Sequence, residues 1–189
     1  MTLGTMLKGF SHRTPHMTDV EALKKEAGIA ACSYVSSGMK VGLGTGSTVK
    51  HTVVELGRMI AEEGLEIVGV PTSLATEKLA LEVGITLVKL SDIDGLDVVI
   101  DGADEYDPLF QLIKGGGAAL LREKIVAQES KAMVIVADDR KRVDVLGAFP
   151  LPIEVTPFAH QATIRVLGRV LNCRVNCRMS GDNPVITDN

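Results

Sequence analysis

The feature that most constrains this chain is a series of short apolar runs, each separated from the next by a segment with helical spacing. Residues 97–100 (Asp-Val-Val-Ile) and 132–136 (Ala-Met-Val-Ile-Val) are the clearest. A strand with one wet face alternates apolar and polar side chains, whereas one that is nearly continuous in hydrophobicity is buried on both faces, as in a parallel sheet covered by helices. The expectation is therefore an open, mostly parallel, doubly wound α/β sheet, whose ligands bind beyond the carboxyl ends of the strands.

Elements can be placed along that alternation. Thr18-Asp19-Val20-Glu21 offers a capping residue followed three positions later by Glu, opening a helix through Lys24, Ala27, Ala31 and Tyr34. Strands are expected at residues 39–43, 66–70, 85–89, 97–100 and 132–136. A helix starts inside Gly46-Ser47-Thr48 and runs to about Glu63, and Thr72-Ser73 caps another. After Phe149-Pro150-Leu151-Pro152 a second unit should begin, with a strand at residues 153–155 and a helix at 158–171. The organisation expected is a disordered extension over residues 1–16, a catalytic domain over 17–150 and a smaller domain over 151–189. The last residues, Val185-Ile186-Thr187-Asp188-Asn189, read as a strand running into a turn, so the smaller domain is expected to be incomplete.

Composition removes several function classes. A net charge of −4 provides no overall basic field for nucleic-acid phosphates. The apolar runs are far shorter than the roughly 20 residues of a membrane helix. Cys32, Cys173 and Cys177 form no CxxC pair, which suits a reducing cytoplasm. The histidines at 12, 16, 51 and 160 lack metal-ligand spacing, so no metal is expected.

Three segments carry chemistry. In Val41-Gly42-Leu43-Gly44-Thr45-Gly46-Ser47-Thr48 a strand enters a glycine turn that opens a helix, and the unpaired N–H groups there, with the hydroxyls of Thr45, Ser47 and Thr48, make an anion site. A Walker loop would need Lys where Gly46 precedes Ser47. A dinucleotide fingerprint would need Gly at position 47 and an acid where the next strand ends in Gly69-Val70-Pro71. A single small phosphoester fits better, beside the plainer alternative of a tight turn with ordinary capping.

In Asp97-Val98-Val99-Ile100-Asp101-Gly102-Ala103-Asp104-Glu105 a buried strand delivers Asp101 and Asp104 to one end. Close carboxylates push their pKa values apart, which equips one to accept and the other to donate a proton. A solvated acidic turn or a magnesium site is the other reading of this segment. In Lys114-Gly115-Gly116-Gly117-Ala118-Ala119-Leu120-Leu121-Arg122-Glu123-Lys124 the glycines allow close backbone approach, Lys114 can neutralise a sugar oxyanion, and Glu123 lies within two turns of a helix start. Taken alone, Glu123 between Arg122 and Lys124 is more often a solvated helical residue.

The three blocks, GLGTGSTV, DGADE and KGGGAALLREK in this order and spacing, closely resemble the type A ribose-5-phosphate isomerases, over about residues 23–189. That resemblance implies a Rossmann-like domain related to glucosamine-6-phosphate deaminases and coenzyme A transferases, a small ferredoxin-like α+β domain, a cytoplasmic homodimer or homotetramer, and no cofactor. It implies that Glu123 is the base, that Asp101, Gly102, Ala103 and Asp104, Lys114, Gly115, Gly116 and Gly117, and Thr45, Gly46, Ser47 and Thr48 form the substrate loops, that Lys141 contacts substrate, and that Lys24 contacts phosphate. Asp101 would assist ring opening, Lys114 would hold the enediolate oxygens and Asp104 would orient a sugar hydroxyl. Family members continue past the point where this sequence stops, so pairing and stability are expected to differ. Competing readings are an amino-sugar deaminase, a non-catalytic sugar-phosphate sensor, and an inactive fragment.

Overall fold

The computed structural model describes residues 17–189, so the expectation for residues 1–16 lies outside the described residues. In chain order the elements are α1 (Met17–Ala31), β1 (Lys40–Leu43), α2 (Val49–Glu63), β2 (Val68–Pro71), α3 (Leu74–Glu82), β3 (Thr86–Leu87), β4 (Val98–Gly102), β5 (Glu105–Tyr106), β6 (Leu112–Ile113), α4 (Leu120–Gln128), β7 (Met133–Val136), α5 (His160–Leu171), β8 (Met179–Ser180) and β9 (Asn183–Pro184).

The central sheet has the order β3-β2-β1-β4-β7 and every pairing in it is parallel. Its side chains divide by strand alternation. Val41 and Leu43 of β1 and Val98 and Ile100 of β4 pack into one core with Val49, Val53 and Leu56 of α2 and Ala31 of α1. Val99 of β4 points the other way, into a second core with Val70, Leu96 and Val126 of α4. The continuous apolar run at residues 98–100 is thus two faces read in one line, and the parallel-sheet expectation holds for that reason.

The strand order places β1 between β2 and β4, with successive crossovers leaving β1 on opposite sides. The carboxyl ends of β1 and β4 therefore flank the topological switch point, where a crevice opens in sheets of this kind. The glycine turn follows β1 and the Asp101–Asp104 turn follows β4, so the fold itself brings the two motifs together.

Several local expectations are corrected. Residues 153–155 form no strand, because Pro150 and Pro152 remove ladder donors and the Glu154 side chain is engaged elsewhere, accepting from Leu121 N at 2.9 Å. The strand expected at 185–186 is displaced into the β8–β9 hairpin, which turns at Gly181 (φ +60°), with Val185 N donating to Arg178 O. Thr18, expected to precede the helix, lies within α1. The β5–β6 hairpin was not expected; Asp107 ties its turn by accepting from Leu109 N, Gln111 N and Gln111 Nε2. Residues 151–189 contain α5 and the β8–β9 hairpin.

At Gly42, β1 packs closely against both β4 and α4. A Cβ there would lie 2.7 Å from Val126 Cγ1 and 2.8 Å from Val99 Cβ. Gly42→Ala is expected to destabilise the protein by about 1–3 kcal/mol through overpacking, read as a lowered urea midpoint at unchanged m-value; an unaltered midpoint would contradict this packing of α4 on the sheet.

Candidate active site

The turns after β1 and β4, the loop after β6 and the starts of α2 and α4 build the site. The turn after β1 runs through Gly46, whose φ of +138° suits glycine alone, into α2. Thr48 at the start of α2 has helical φ and ψ and makes no side-chain cap, and the N–H groups of Gly46, Ser47 and Thr48 have no acceptor among the described residues. These are the free donors of a helix N-terminus, backed by the positive end of its dipole.

The turn after β4 fixes two acids differently. Asp101 is fully buried, and its Oδ1 accepts from Thr45 N at 3.1 Å and Gly102 N at 2.7 Å. Asp104 is half-buried and its Oδ2 accepts from Gly116 N at 2.7 Å, so this acid and the triple-glycine loop hold each other. Side chains at Gly44 or Gly116 would collide with the Asp101 and Asp104 carboxylates respectively.

Lys114 joins the blocks. Its Nζ donates to Gly102 O and lies 3.1 Å from Asp101 Oδ2 and 3.2 Å from Glu123 Oε2. Those two carboxylate oxygens are buried and have no well-formed hydrogen bond, so the shared ammonium is their compensation. Glu123, on the first turn of α4, is only 3% exposed. Burial, reinforced by the Asp101 carboxylate and opposed by Lys114, raises its pKa to about 7. Burial also raises Asp101, against the lowering effect of Lys114 and the two N–H donors.

A cavity of about 280 Å³ opens above these groups. Its walls include Lys24, Thr45, Gly46, Ser47, Thr48, Gly102, Ala103, Asp104, Lys114, Gly115, Gly117, Glu123 and Lys141. Nearly every residue singled out in the sequence therefore shares one cleft. Two do not reach its surface. Asp101 lies sealed beneath Lys114, and Gly116 spends its N–H on Asp104. Lys24 reaches the cleft but its Nζ is paired with Glu21 Oε1 at 2.7 Å. A larger, mainly apolar groove of about 460 Å³ lies elsewhere, lined by Val70, Leu87, Val88, Ile125 and Val126 with Glu77, Lys89 and Arg122, and includes none of the residues singled out as site candidates.

The sequence reading missed several supports. Asp138, buried at the end of β7, lines the cleft and is paired with Arg140 at 2.7 Å. Its place at a strand's carboxyl end was the available signal. Arg178 donates to Gly116 O at 2.8 Å and Glu154 accepts from Leu121 N near the start of α4, so residues after position 150 brace the triple-glycine loop and the helix it enters. Thr72, Ser73 and Thr76 surround the Thr45 hydroxyl. Among the described residues no group of three His, Cys, Asp or Glu is placed to hold a metal ion, and no helix is long and apolar enough to cross a membrane.

A family model described as ribose 5-phosphate isomerase A (phosphoriboisomerase A) matches residues 68–189. The chain is 52% identical over 169 residues to a ribose-5-phosphate isomerase A of Streptococcus equi subsp. zooepidemicus, covering 89% of this chain and 74% of that relative. It is 48% identical over 181 residues to one of Jannaschia sp., covering 93% and 69%. Among solved structures it resembles ribose 5-phosphate isomerase from Plasmodium falciparum, with a TM-score of 0.85, 36% identity and coverage of 89% and 74%. It also resembles a D-ribose-5-phosphate isomerase in complex with phospho-erythronic acid, with a TM-score of 0.83, 41% identity and coverage of 89% and 75%. With about half its residues shared along most of its length, and its sheet superposing on theirs, the chain belongs to the ribose 5-phosphate isomerase A family.

Proposed function

We propose that Glu123 is the proton shuttle of this isomerase, and that the observation carrying the assignment is its burial at the cleft floor beside Lys114. The reaction is the interconversion of D-ribose 5-phosphate and D-ribulose 5-phosphate. In the forward direction the ionised Glu123 takes the proton from C2 of the open-chain aldose, leaving an enediolate across C1 and C2. The protonated Glu123 then returns a proton to C1, while the O2 proton is lost and O1 gains one, so atoms and charge balance. Lys114 stabilises the oxyanion as it forms. A base with a pKa near the working pH is well matched to both halves of this exchange.

The phosphate is assigned to the N-terminus of α2, where the Gly46, Ser47 and Thr48 N–H groups stand free and the Ser47 and Thr48 hydroxyls are close by. Lys141, with no ion pair among the described residues, supplies positive charge at the rim, whereas the charge of Lys24 is shared with Glu21. The ring-opening role expected of Asp101 does not suit a side chain sealed from the cleft. Asp101 instead holds Lys114 and raises Glu123, and ring opening falls to Asp104, whose Oδ1 accepts no hydrogen bond among the described residues. The phospho-erythronic acid held by the related isomerase is a sugar-acid phosphate of the class this cleft would accept. Assembly as a homodimer or homotetramer in the cytoplasm belongs to this proposal and rests on the family resemblance.

Glu123→Gln should lower kcat by about 10²–10⁴ with little change in KM, measured as ketose formation from ribose 5-phosphate; near-normal turnover would refute the shuttle. In the wild type, kcat/KM should rise with pH through about 7 as Glu123 ionises. The same group costs stability. Because its folded pKa lies above the unfolded value of 4.5, the native state binds the extra proton between these values and stability falls as pH rises from 4.5 to about 7. Glu123→Gln is accordingly expected to melt above the wild type at pH 8 and close to it at pH 4.5, by differential scanning calorimetry. Ser47→Ala should raise KM roughly threefold or more while leaving kcat within about twofold.

A further inference from the structure

Thr45 lies in the substrate loop, yet its hydroxyl is turned away from the work expected of it. Its Oγ1 lies 2.7 Å from Thr72 Oγ1, donates to Ser73 Oγ at 2.8 Å and lies 3.3 Å from Thr76 Oγ1. The three partners are 0%, 4% and 7% exposed, so water cannot replace them. The methyl group of Thr45 is the part that faces the triple-glycine loop, with Cγ2 3.6 Å from where a Cβ on Gly117 would stand.

Each hydroxyl has one proton to give. Thr76 gives its proton to Gly44 O at 2.9 Å, Ser73 gives its own to Thr76 Oγ1 at 3.0 Å, and Thr45 gives its own to Ser73. Thr72 is then the donor towards Thr45, sharing its proton with Leu43 O at 3.1 Å. The result is a one-way chain, Thr72 to Thr45 to Ser73 to Thr76 to the Gly44 carbonyl, with every proton committed. Chains of this kind polarise one another and tolerate few alternative arrangements.

The chain starts just past β2 at Thr72, passes through Thr45 and ends on the Gly44 carbonyl, so it grips the glycine turn at two adjacent residues. The peptide between Gly44 and Thr45 is held at its carbonyl by Thr76 and at its N–H by Asp101 Oδ1. That peptide sets the direction in which the backbone enters Gly46, Ser47 and Thr48. Fixing it fixes the free N–H groups at the start of α2.

We propose that Thr72, Ser73 and Thr76 are positioning residues for the isomerase reaction, acting through Thr45 to hold the glycine loop in its phosphate-binding shape, and that the Thr45 hydroxyl does not itself contact substrate. The inference rests on the reading of that loop as the phosphate cradle.

The test compares Thr76→Val, Thr76→Ser, Thr45→Val and the Thr45→Val/Thr76→Val pair with Ser47→Ala, measuring kcat, KM for ribose 5-phosphate and Ki for inorganic phosphate. Thr76→Val should raise KM and Ki together by roughly three- to tenfold with kcat within about twofold, and Thr76→Ser, which keeps the hydroxyl, should restore both. The double variant should be no worse than about twofold beyond the poorer single, since both substitutions break one chain. A Thr76→Val that lowers only kcat, through loss of folded enzyme, would overturn the proposal, as would multiplicative effects in the double variant. If Ser47→Ala raises KM and Thr76→Val does not, the positioning role alone fails; if neither does, the cradle assignment falls and takes the proposal with it.

Discussion

A single ammonium, Lys114 Nζ, faces two buried carboxylates and a carbonyl oxygen at the crossing of β4 and α4. Without it, Asp101 and Glu123 would confront each other in a site that excludes water, and neither could ionise without a large penalty. With it, one negative charge is fully compensated and the second is only partly so. Burial, together with that incomplete compensation, raises the Glu123 pKa to about 7. The rest of the site is arranged around keeping these three groups close and dry.

The backbone serves the same end. Asp101 holds the glycine turn through Thr45 N, Asp104 holds the triple-glycine loop through Gly116 N, and the absence of side chains at Gly44 and Gly116 is what lets the carboxylates come so near. Acids that look like catalytic candidates in the sequence are therefore also the ties between the loops. Arg178 and Glu154 add ties from the residues after position 150, so the triple-glycine loop and the start of α4 are braced from outside the central sheet as well.

The protein carries an internal conflict at this point. Burying Glu123 raises its pKa to about 7 and costs stability above its unfolded pKa, an opposition common where a site holds a desolvated group. The conflict is tolerable because the cores on both faces of the sheet are built from β-branched and aliphatic residues that are almost fully buried. The parallel sheet thus supplies the stability that the site gives up.

Much of this was legible in the sequence, and the division has a physical basis. The parallel sheet, the order of helices and strands, and the three site blocks are local properties, written in residue periodicity and in glycine, hydroxyl and acid spacing over fewer than a dozen positions. The single cleft follows almost automatically once β1 and β4 are neighbours at the switch point. Other features depend on distances between groups far apart in the chain. The sealing of Asp101, the elevation of Glu123 and the commitment of the Thr45 hydroxyl to Thr72, Ser73 and Thr76 all arise across such separations. The strand expected at residues 153–155 failed for a related reason, since a ladder needs a neighbour and prolines with an engaged Glu154 left none. The sequence by itself determined which groups would be available and at which strand ends; only the tertiary structure decided which of them line the cleft and which hold the others in place, because burial and charge proximity are properties of the packed chain.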